Sequence, residues 1–313
     1  MTRPAPLVSV CMPAHRDSAF FREALGSVLA QTMGDLEVIV GDDSGGGLQA
    51  ACLEAGDERV RYIANPQRLG FIGNHEATID QARGTYIAVL HDDDRHHPTY
   101  LERMTGVLDA DPELGLACCD VWEIFPDGRR QRPGLTVQGG RHDDWLALAF
   151  SHDFFIPTST VLRRATWEQR RTKHWPDHPI GDIVLWYDAA IDGTPMFWVD
   201  EPLADYRRHD DQISGLLATR TAVIEINRQY AFPDRPDADL PRRQRLTRGY
   251  IGRGGARLRT GDARGAREDF AEARRQAPEI WTRKRRAMTV AASIPGLPKL
   301  FAIRTARAGG GDR

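Results

Sequence analysis

Apolar residues in the first 120 positions of this 313-residue chain follow two alternating spacings. Short apolar runs predict buried strands, and they lie at 8–12, 36–40, 60–63, 85–90 and 116–121. Apolar residues three or four positions apart predict helices, and they lie over 20–32, from about 74 onward, and over 100–108. Strands that alternate with crossover helices are typical of an α/β sheet with parallel strands.

Polar residues stand where three of these strands end. In open parallel sheets, ligands bind beyond the carboxyl ends of the strands, where the loops diverge. The residues at the three ends are Pro13, Ala14 and His15, then Asp42 and Asp43, then Asp92, Asp93 and Asp94. We therefore expect a polar ligand at this edge of the sheet.

The third of these groups, Asp92 to Asp94, indicates a metal site. Adjacent carboxylates repel one another unless a cation lies nearby, and hard oxygen ligands suit Mg²⁺ or Mn²⁺. Because these ions keep positions for phosphate and water, the triplet predicts a metal-diphosphate site. The alternative is a solvated acidic turn that caps the helix beginning near Pro98.

Two further groups suit a nucleotide. The carboxylates of Asp42 and Asp43 can accept hydrogen bonds from a base N–H or from ribose hydroxyls, although Asp and Ser also favour simple turns. The second group is Asn65, Arg68, Gly70 and Asn74. Glycine permits close approach of the backbone to a ligand, and Asn74 is predicted to cap the following helix. The chain has no GxGxxG or Walker A motif, which argues against a dinucleotide dehydrogenase and a P-loop NTPase.

The formal net charge of -2 hides two parts of opposite sign. Residues 1–240 carry 23 Lys and Arg against 38 Asp and Glu, whereas residues 241–313 carry 19 against 6. The chain therefore has an acidic body and a basic tail. Within the tail, one helix-turn-helix unit is predicted from the spacing of Gly261, Ala266, Phe270, Ala273 and Pro278.

The basic tail has three interpretations. A single helix-turn-helix unit cannot bury its own apolar face, so we expect it to dock on the acidic body or on a partner, including a second copy in a homo-oligomer. The Arg-rich segment 281–286 and the apolar segment 291–303 also suit an anionic membrane surface near a lipid-linked acceptor. Nucleic acid is disfavoured, because no aromatic platform accompanies the arginines.

The cellular compartment is predicted from the cysteines and from the patterns that target a chain to a membrane or to secretion. Four cysteines, Cys11, Cys52, Cys118 and Cys119, lie in or beside apolar segments without metal-ligand spacing, which predicts buried thiols and a reducing compartment. The chain shows no signal-peptide pattern and no run of about 18 apolar residues. We therefore expect a cytoplasmic protein, peripheral to the inner face of the membrane if the tail binds lipid.

Several motifs between residues 8 and 214, taken in order, resemble those of the family 2 glycosyltransferases with the GT-A fold. They are VSVCMPAH, SVLAQT, LEVIVGDDS, NPQRLGFIGN, ARGTYIAVLHDDD and YRRHDDQIS. The resemblance implies an α/β fold with a Rossmann-like mixed sheet flanked by helices. It implies a catalytic domain at 1–215, with a nucleotide-sugar-binding half at 1–120 and an acceptor-side half at 121–215. A basic helical extension would follow at 216–313.

The resemblance also implies roles for individual residues. Those facing the nucleotide would be Pro13, Ala14, His15, Asp42, Asp43, Asn65, Arg68, Gly70, Asn74, Asp92 and Asp93. Those binding Mn²⁺ or Mg²⁺ would be Asp94, Asp92 and His209. The diphosphate would be bound by Arg207 and Arg208, unless one of them pairs with the acidic body. His15 and Arg16 depart from the Tyr-Asn pair that the family often has here.

The family's reaction inverts the anomeric carbon in a single displacement, and a carboxylate takes the acceptor proton. Asp182 occupies the place of that base, although Gly181 replaces the Glu that commonly precedes it. The competing bases are Asp144, Asp153 and Asp177, and a structural helix cap is the other interpretation of Asp182.

Aromatic residues concentrate in the half of the chain that the resemblance assigns to the acceptor. Segment 154–161 resembles the family's stretch leading into the acceptor side. Of the nearby tryptophans we expect most to be core and one or two to line the acceptor cleft. These tryptophans are Trp145, Trp167, Trp175 and Trp186.

The sequence thus predicts a metal-dependent, inverting glycosyltransferase with a UDP- or dTDP-sugar donor. The acceptor would be a carbohydrate, a lipid-linked molecule or a natural product. One alternative is a sugar-phosphate nucleotidyltransferase, which normally has a Gly-rich basic loop after the first strand that PAHRDS lacks. The other is a non-catalytic nucleotide-sugar sensor or scaffold, which fold alone does not exclude.

Overall fold

The central element of the fold is a mixed β-sheet. The computed structural model describes residues 4–133, 137–151, 156–170, 178–209 and 217–280. Within these ranges, ten strands belong to one sheet. They are β1 (Val8–Ala14), β2 (Leu36–Asp42), β3 (Val60–Ala64), β4 (Tyr86–Val89), β5 (Arg95–His96), β6 (Leu116–Ile124), β7 (Arg130–Gln131), β8 (Gly140–His142), β9 (Thr160–Arg163) and β10 (Met196–Arg207).

The strand order in the sheet is β3-β2-β1-β4-β9-β6-β10-β5. The first four strands are parallel, β9 runs antiparallel to both β4 and β6, and β10 runs parallel to β6. Two short strands lie off this path, β7 against β6 and β8 against β10. The expected Rossmann-like mixed sheet is therefore confirmed.

Helices fill the connections between the strands and continue beyond the sheet. They are α1 (Ala19–Leu29), α2 (Gln49–Glu54), α3 (Gly70–Ile79), α4 (Tyr100–Ala110), α5 (Leu146–Ser151), α6 (Arg164–Arg170), α7 (Val184–Ile191), α8 (Leu217–Asn227), α9 (Pro236–Arg259) and α10 (Ala263–Gln276). No helix in the described ranges is both long enough and apolar enough to cross a membrane.

The sheet is covered on both faces. Val10 and Met12 belong to a core with residues of α1 and α4, among them Phe21 and Met104. On the opposite face, the thiol of Cys11 lies 3.8 Å from the Thr78 carbonyl oxygen of α3. The four cysteines are free and buried, as predicted. The tryptophans at 145, 167 and 186 are also buried, whereas Trp175 lies outside the described residues.

Strand β1 runs two residues further than its apolar pattern predicts, through Pro13 and Ala14. Ala14 accepts a hydrogen bond from the Asp43 N–H next to β2, and Cys11 accepts one from Leu90 next to β4. Successive residues of a strand direct their backbone N–H and C=O groups toward opposite neighbouring strands. The nitrogen of Pro13, like the carbonyl group of Cys11, therefore points toward β4, whose pairing with β1 ends at Cys11. The N–H that proline lacks is therefore not needed.

The predicted helix cap at Asn74 is wrong. Helix α3 begins at Gly70, so Asn74 lies in its second turn. Gly70 has a φ of +76°, a left-handed conformation that favours glycine. The chain therefore turns into the helix four residues earlier than the apolar pattern indicates. By contrast, α1 begins at a conventional cap, because the Ser18 hydroxyl accepts from the Phe21 N–H at 3.1 Å.

The chain divides into two compact units. The first comprises residues 1–177 and 181–210, and the second comprises 178–180 and 211–313. The second unit contains the predicted helix-turn-helix, formed by α9 and α10 around a turn at Gly261 with φ +85°. Its buried core includes Tyr250 and Phe270.

The second unit neutralises part of its own basic charge. Arg253 and Arg257 both contact the carboxylate of Asp269, which is 2% exposed, at 2.7 and 3.0 Å. The helices also approach closely, since a Cβ at Gly254 would lie 2.7 Å from the Phe270 ring. The segments predicted to touch a membrane, 281–286 and 291–303, lie outside the described residues.

Candidate active site

Asp42 stands at the carboxyl end of β2, directly opposite Ala14 of β1. It is fully buried, and its carboxylate accepts from the Ser44 N–H at 2.7 Å, the Tyr62 hydroxyl at 2.8 Å and the Leu48 N–H at 3.2 Å. Burial raises the pKa of this carboxyl, but the hydrogen bonds from Ser44, Tyr62 and Leu48 outweigh it and lower the pKa. Asp42 thus stays ionised and holds the loop after β2.

Asp43 organises the neighbouring loop in the same way. Its carboxylate accepts from the backbone N–H groups of Leu69 and Gly70 at 2.7 and 2.9 Å and from the Asn65 side chain at 3.1 Å. The Arg68 guanidinium lies 3.9 Å away. Three of the predicted nucleotide residues, Asn65, Arg68 and Gly70, are therefore gathered around Asp43.

Asn74 joins the ends of three strands. Its amide donates to the backbone oxygens of Ala14 at 3.2 Å and Gly41 at 3.0 Å. The side-chain oxygen of Asn74, Oδ1, accepts a hydrogen bond of 2.8 Å from the side-chain amide of Asn65, which follows β3. Gly41 has no room for a side chain, since a Cβ there would lie 1.8 Å from the Thr78 hydroxyl. Asn74 therefore fixes the loops from inside α3.

A cleft of about 330 Å³ opens above these strand ends. Its lining includes His15, Asp43, Asn65 and Arg68, together with the glycine-bearing turn after β2. The volume lies at the lower end of the range for small-molecule sites. The structure therefore gathers predicted nucleotide residues from three different loops around one concave surface.

His15 connects this cleft to the acidic residues after β4. Its Nδ1 lies 3.5 Å from the Asp92 carboxylate, and that contact raises the pKa of His15. Asp92, predicted to face the nucleotide and the metal, is thus directed toward His15 here.

A potential metal site lies next to Asp92. The ligand atoms of His91, Asp93 and Asp94 all lie within 4.8 Å of one another. Asp94 is fully buried and accepts from the Thr158 hydroxyl at 2.6 Å and the Arg207 N–H at 2.9 Å. Burial, and then the charge of Asp93, raise the pKa of Asp94 well above its ordinary value. A bound cation would stabilise the ionised form of Asp94 against both its burial and its repulsion by Asp93. The three side chains therefore fit a divalent metal ion.

His209, predicted as a metal ligand, reaches this cluster from the end of β10. Its Nε2 lies 3.0 Å from the Asp93 carboxylate, and its ring centre lies 5.5 Å from that of Phe20. His209 therefore contacts Asp93 of the cluster but is not itself one of its three members. The histidine among the three is His91. Sequence reasoning missed His91, although it directly precedes the acidic triplet.

His91 is in turn contacted by a buried histidine of α3. The Nε2 atoms of His75 and His91 lie 3.0 Å apart, and His75 Nδ1 lies 2.7 Å from the Phe71 carbonyl oxygen. Burial, followed by the neighbouring His91, lowers the pKa of His75 to about 3. His75 is therefore neutral at physiological pH, and it is a second residue that sequence reasoning missed.

Asp182 lies in a short 3-10 turn, Gly181–Ile183, that leads into α7. It is 7% exposed, and burial raises its pKa to about 6. A carboxylate with a pKa near neutrality is suited to accept a proton. The rival Asp144 is exposed and accepts from the Leu146 N–H at 3.4 Å. The rivals Asp153 and Asp177 lie outside the described residues.

The two arginines predicted to bind diphosphate both have carboxylate partners. Arg207 contacts Glu23, and its guanidinium also lies 4.6 Å from the centre of the Phe20 ring. Arg208 contacts Glu123. In this structure both arginines are thus held against the acidic body, so binding a diphosphate would require them to exchange partners.

Comparison with known proteins places this geometry in a family. Residues 9–170 match the family model described as glycosyl transferase family 2. The Mycobacterium tuberculosis protein MT1568 is 34% identical over 71% of this chain and 74% of its own length. A Haemophilus influenzae protein named as a glycosyltransferase is 25% identical over 67% of this chain and 68% of its own length.

Solved structures share the fold at low sequence identity. Residues 1–349 of S. aureus TarS, in complex with UDP-GlcNAc, superpose with a TM-score of 0.69 at 14% identity, over 96% of this chain and 92% of that TarS 1–349 chain. The mannosyltransferase PcManGT from Pyrobaculum calidifontis, in complex with GDP-Man and Mn²⁺, gives a TM-score of 0.56 at 15% identity. That match covers 96% of this chain and 87% of PcManGT. The shared architecture is the GT-A fold.

Proposed function

The chain belongs to glycosyl transferase family 2, and from that premise we propose that it is a metal-dependent, inverting enzyme that uses a UDP- or dTDP-sugar donor. One observation carries the proposal. The cleft around Asp43 is linked through His15 and Asp92 to the cluster of His91, Asp93 and Asp94. A nucleoside diphosphate requires a nucleoside pocket beside a divalent-cation site, and this arrangement supports that assignment.

The nucleoside would occupy the cleft above the ends of β1, β2 and β3. Asp43, Asn65 and Arg68 line that cleft; the Arg68 guanidinium lies 3.9 Å from the Asp43 carboxylate, and the Asn65 amide donates to it. Asp42 is fully buried, and its carboxylate already accepts three hydrogen bonds. Its role in binding the nucleotide sugar would therefore be to shape the loop after β2. The lining residue His15 contacts Asp92 of the acidic triplet and would contact the diphosphate side of the sugar donor.

The metal would be Mn²⁺ or Mg²⁺. TarS and PcManGT are described with nucleotide sugars, and PcManGT with Mn²⁺. When bound, the ion would neutralise charge that develops on the departing diphosphate. Asp93 and Asp94 would bind the ion. Asp93 would orient His209, and the Thr158 hydroxyl would orient Asp94.

Asp182 is the proposed general base. Its carboxylate takes the proton of an acceptor hydroxyl while that oxygen attacks the anomeric carbon of the donor. The bond from the anomeric carbon to the diphosphate oxygen breaks with its electron pair, and the nucleoside diphosphate leaves. The surroundings of Asp182 suit this step, because burial raises its pKa to about 6 and so increases its basicity.

A panel of nucleotide sugars tests the proposal. A donor that binds only the folded protein raises the melting temperature, so UDP- and dTDP-sugars should raise it more with Mn²⁺ present than absent. Release of nucleoside diphosphate should then follow incubation with a matching acceptor. Tight nucleotide-sugar binding without any turnover or hydrolysis would instead support a sensor, and uptake of sugar phosphate and nucleoside triphosphate would support a nucleotidyltransferase.

A further inference from the structure

We propose that His91 binds the metal through Nδ1, and that His75 is the positioning residue that holds His91 in the required tautomer. The inference rests on the proposed donor-metal site and specifies one of its ligands. His75 lies on α3 and is 2% exposed, so it acts only through His91.

The tautomer of His75 follows from its two contacts. The Phe71 carbonyl oxygen accepts but cannot donate, and it lies 2.7 Å from His75 Nδ1. His75 Nδ1 therefore carries a hydrogen. Because the ring is buried and contacts a carbonyl group and a second imidazole, neither of which carries a negative charge, it remains neutral. In a neutral imidazole the other nitrogen, Nε2, is then an acceptor.

The tautomer of His91 follows in turn. His91 Nε2 lies 3.0 Å from His75 Nε2, so one of these two nitrogens must donate. His75 Nε2 accepts, and His91 Nε2 therefore carries the hydrogen. The remaining nitrogen of a neutral His91, Nδ1, keeps its lone pair and is the atom able to bind a cation beside Asp93 and Asp94.

Packing fixes both rings in this arrangement. Phe71 and His75 are four residues apart on α3, so they share one face of the helix. The Phe71 ring centre lies 4.3 Å from that of His75 and 5.9 Å from that of His91. The two imidazoles meet edge to face at 82° with centres 5.1 Å apart. A ligating histidine whose other N–H is held in this way has a fixed tautomer and orientation.

The chemistry of the metal follows from this donor set. One imidazole nitrogen beside two carboxylates differs from the all-oxygen environment that Mg²⁺ prefers. Transition metals such as Mn²⁺ and Co²⁺ accept nitrogen and oxygen together. We therefore expect the site to bind Mn²⁺ more tightly than Mg²⁺, and replacing the nitrogen ligand by oxygen in His91→Asp should narrow the difference.

Nitrogen NMR on the unmodified protein tests the tautomers. Long-range ¹H–¹⁵N spectra of histidine-labelled protein without metal should show His91 as the Nε2–H tautomer and His75 as the Nδ1–H tautomer. The signals are assigned by their loss in His91→Asn and His75→Gln. An Nδ1–H tautomer or a protonated ring at His91 would overturn the inference, and this measurement on the wild type does not depend on any variant folding.

Pulsed EPR of Mn²⁺ with UDP tests the ligand directly. The wild type should show nitrogen coupling to bound Mn²⁺, whereas His91→Asp should bind Mn²⁺ without it. His75→Phe keeps a ring but removes the acceptor, so Mn²⁺ affinity should fall about 10- to 100-fold. His75→Gln supplies a carbonyl acceptor and should recover most of that loss. His142→Gln is the control, because His142 Nε2 contacts the Gln138 carbonyl oxygen outside the cluster.

The outcomes separate the ligand from the proposed function. Mn²⁺ bound without nitrogen coupling in the wild type would overturn the role of His91 but leave a metal-dependent enzyme in place. Equal Mn²⁺ affinities for His75→Phe, His75→Gln and the wild type would overturn the role of His75. No Mn²⁺ binding with UDP present would overturn both the ligand and the proposed metal dependence.

Discussion

The Nδ1 atom of His15 lies 3.5 Å from the carboxylate of Asp92. His15 also lines the cleft around Asp43, and Asp92 directly precedes Asp93 of the acidic cluster. This one contact therefore joins the two parts of the proposed donor site. It also raises the pKa of His15, chiefly through the hydrogen bond to Asp92, and so favours the charged form beside an incoming diphosphate.

His15→Ala tests this connection. Removing the imidazole eliminates a hydrogen-bonding and charged group at the junction, which is worth about 1.5 kcal/mol or more when an ion is involved. We expect the dissociation constant of UDP, measured by calorimetry with Mn²⁺, to rise about tenfold. Glu54→Gln is the control, because Glu54 is exposed and pairs with Arg22. Equal UDP affinities of His15→Ala and the control would remove His15 from the site.

Asp182→Asn tests the base. Asparagine keeps the shape but cannot take a proton, so kcat should fall about 10²- to 10⁴-fold while UDP binding is retained. The matched control is Asp144→Asn, which changes the exposed rival that accepts from Leu146. If Asp144→Asn loses turnover and Asp182→Asn keeps it, the base has been assigned to the wrong carboxylate.

The raised pKa of Asp182 also predicts a pH dependence. Its carboxyl titrates at about 6 because burial disfavours the charged form, so the group is protonated and inactive as a base below that value. At saturating donor and metal, kcat should therefore fall about tenfold per pH unit below pH 6 and level off above it. The rate left in Asp182→Asn should lack this acidic limb. A wild-type kcat that stays constant from about pH 5 to 8 would contradict the assignment.

Much of this site is predictable because its signals are local. Strands β1, β2 and β4 are short apolar runs, and parallel strands bring their carboxyl ends to one edge, so Asp42 and Asp92 were expected near each other. Asp182 was placed by a motif resemblance, despite Gly181 before it. These expectations depend on periodicity and residue order, which a sequence displays directly.

Other features depend on contacts between distant positions. Arg207 meets Glu23 and Arg208 meets Glu123, at separations of 184 and 85 residues, and nothing local indicates these pairs. Asn74 resembles a cap in sequence, but the left-handed Gly70 starts the helix earlier and turns Asn74 toward the strand ends. His75 and His91 come into contact only because α3 packs beside the end of β4, so neither residue stands out in the sequence.

A buried charge cluster on β10 predicts how stability depends on pH. Asp205 is 4% exposed, and its carboxylate contacts Arg95 at 2.6 Å and His97 and Arg130 at 2.9 Å. Burial raises the pKa of Asp205, but the bonds from His97 and Arg95 outweigh it and lower the pKa to about 2. Because the folded-state pKa is depressed, this stabilisation is present above the ordinary Asp pKa of 3.8 and is lost as the pH falls toward 2.

Asp205→Asn should therefore lower the free energy of unfolding by about 2 kcal/mol at neutral pH, since it removes the buried carboxylate that Arg95, His97 and Arg130 contact. The difference from the wild type should shrink as the pH falls below about 4. Urea unfolding at several pH values measures both effects. Asp200→Asn is the control, because Asp200 lies on the same strand with its side chain 52% exposed. A loss of stability that is equal for both variants would contradict a special role for Asp205.

Metal-dependent donor binding is the most direct test of the proposed activity. Calorimetric titration of UDP should give markedly tighter binding with Mn²⁺ than without it in the wild type, and Asp93→Asn should abolish most of that gain. Asp93 is suited to this test because its side chain is 27% exposed, so its replacement leaves the core unchanged. The wild type binding UDP equally well with and without Mn²⁺, and Asp93→Asn behaving the same, would contradict a metal-dependent transferase.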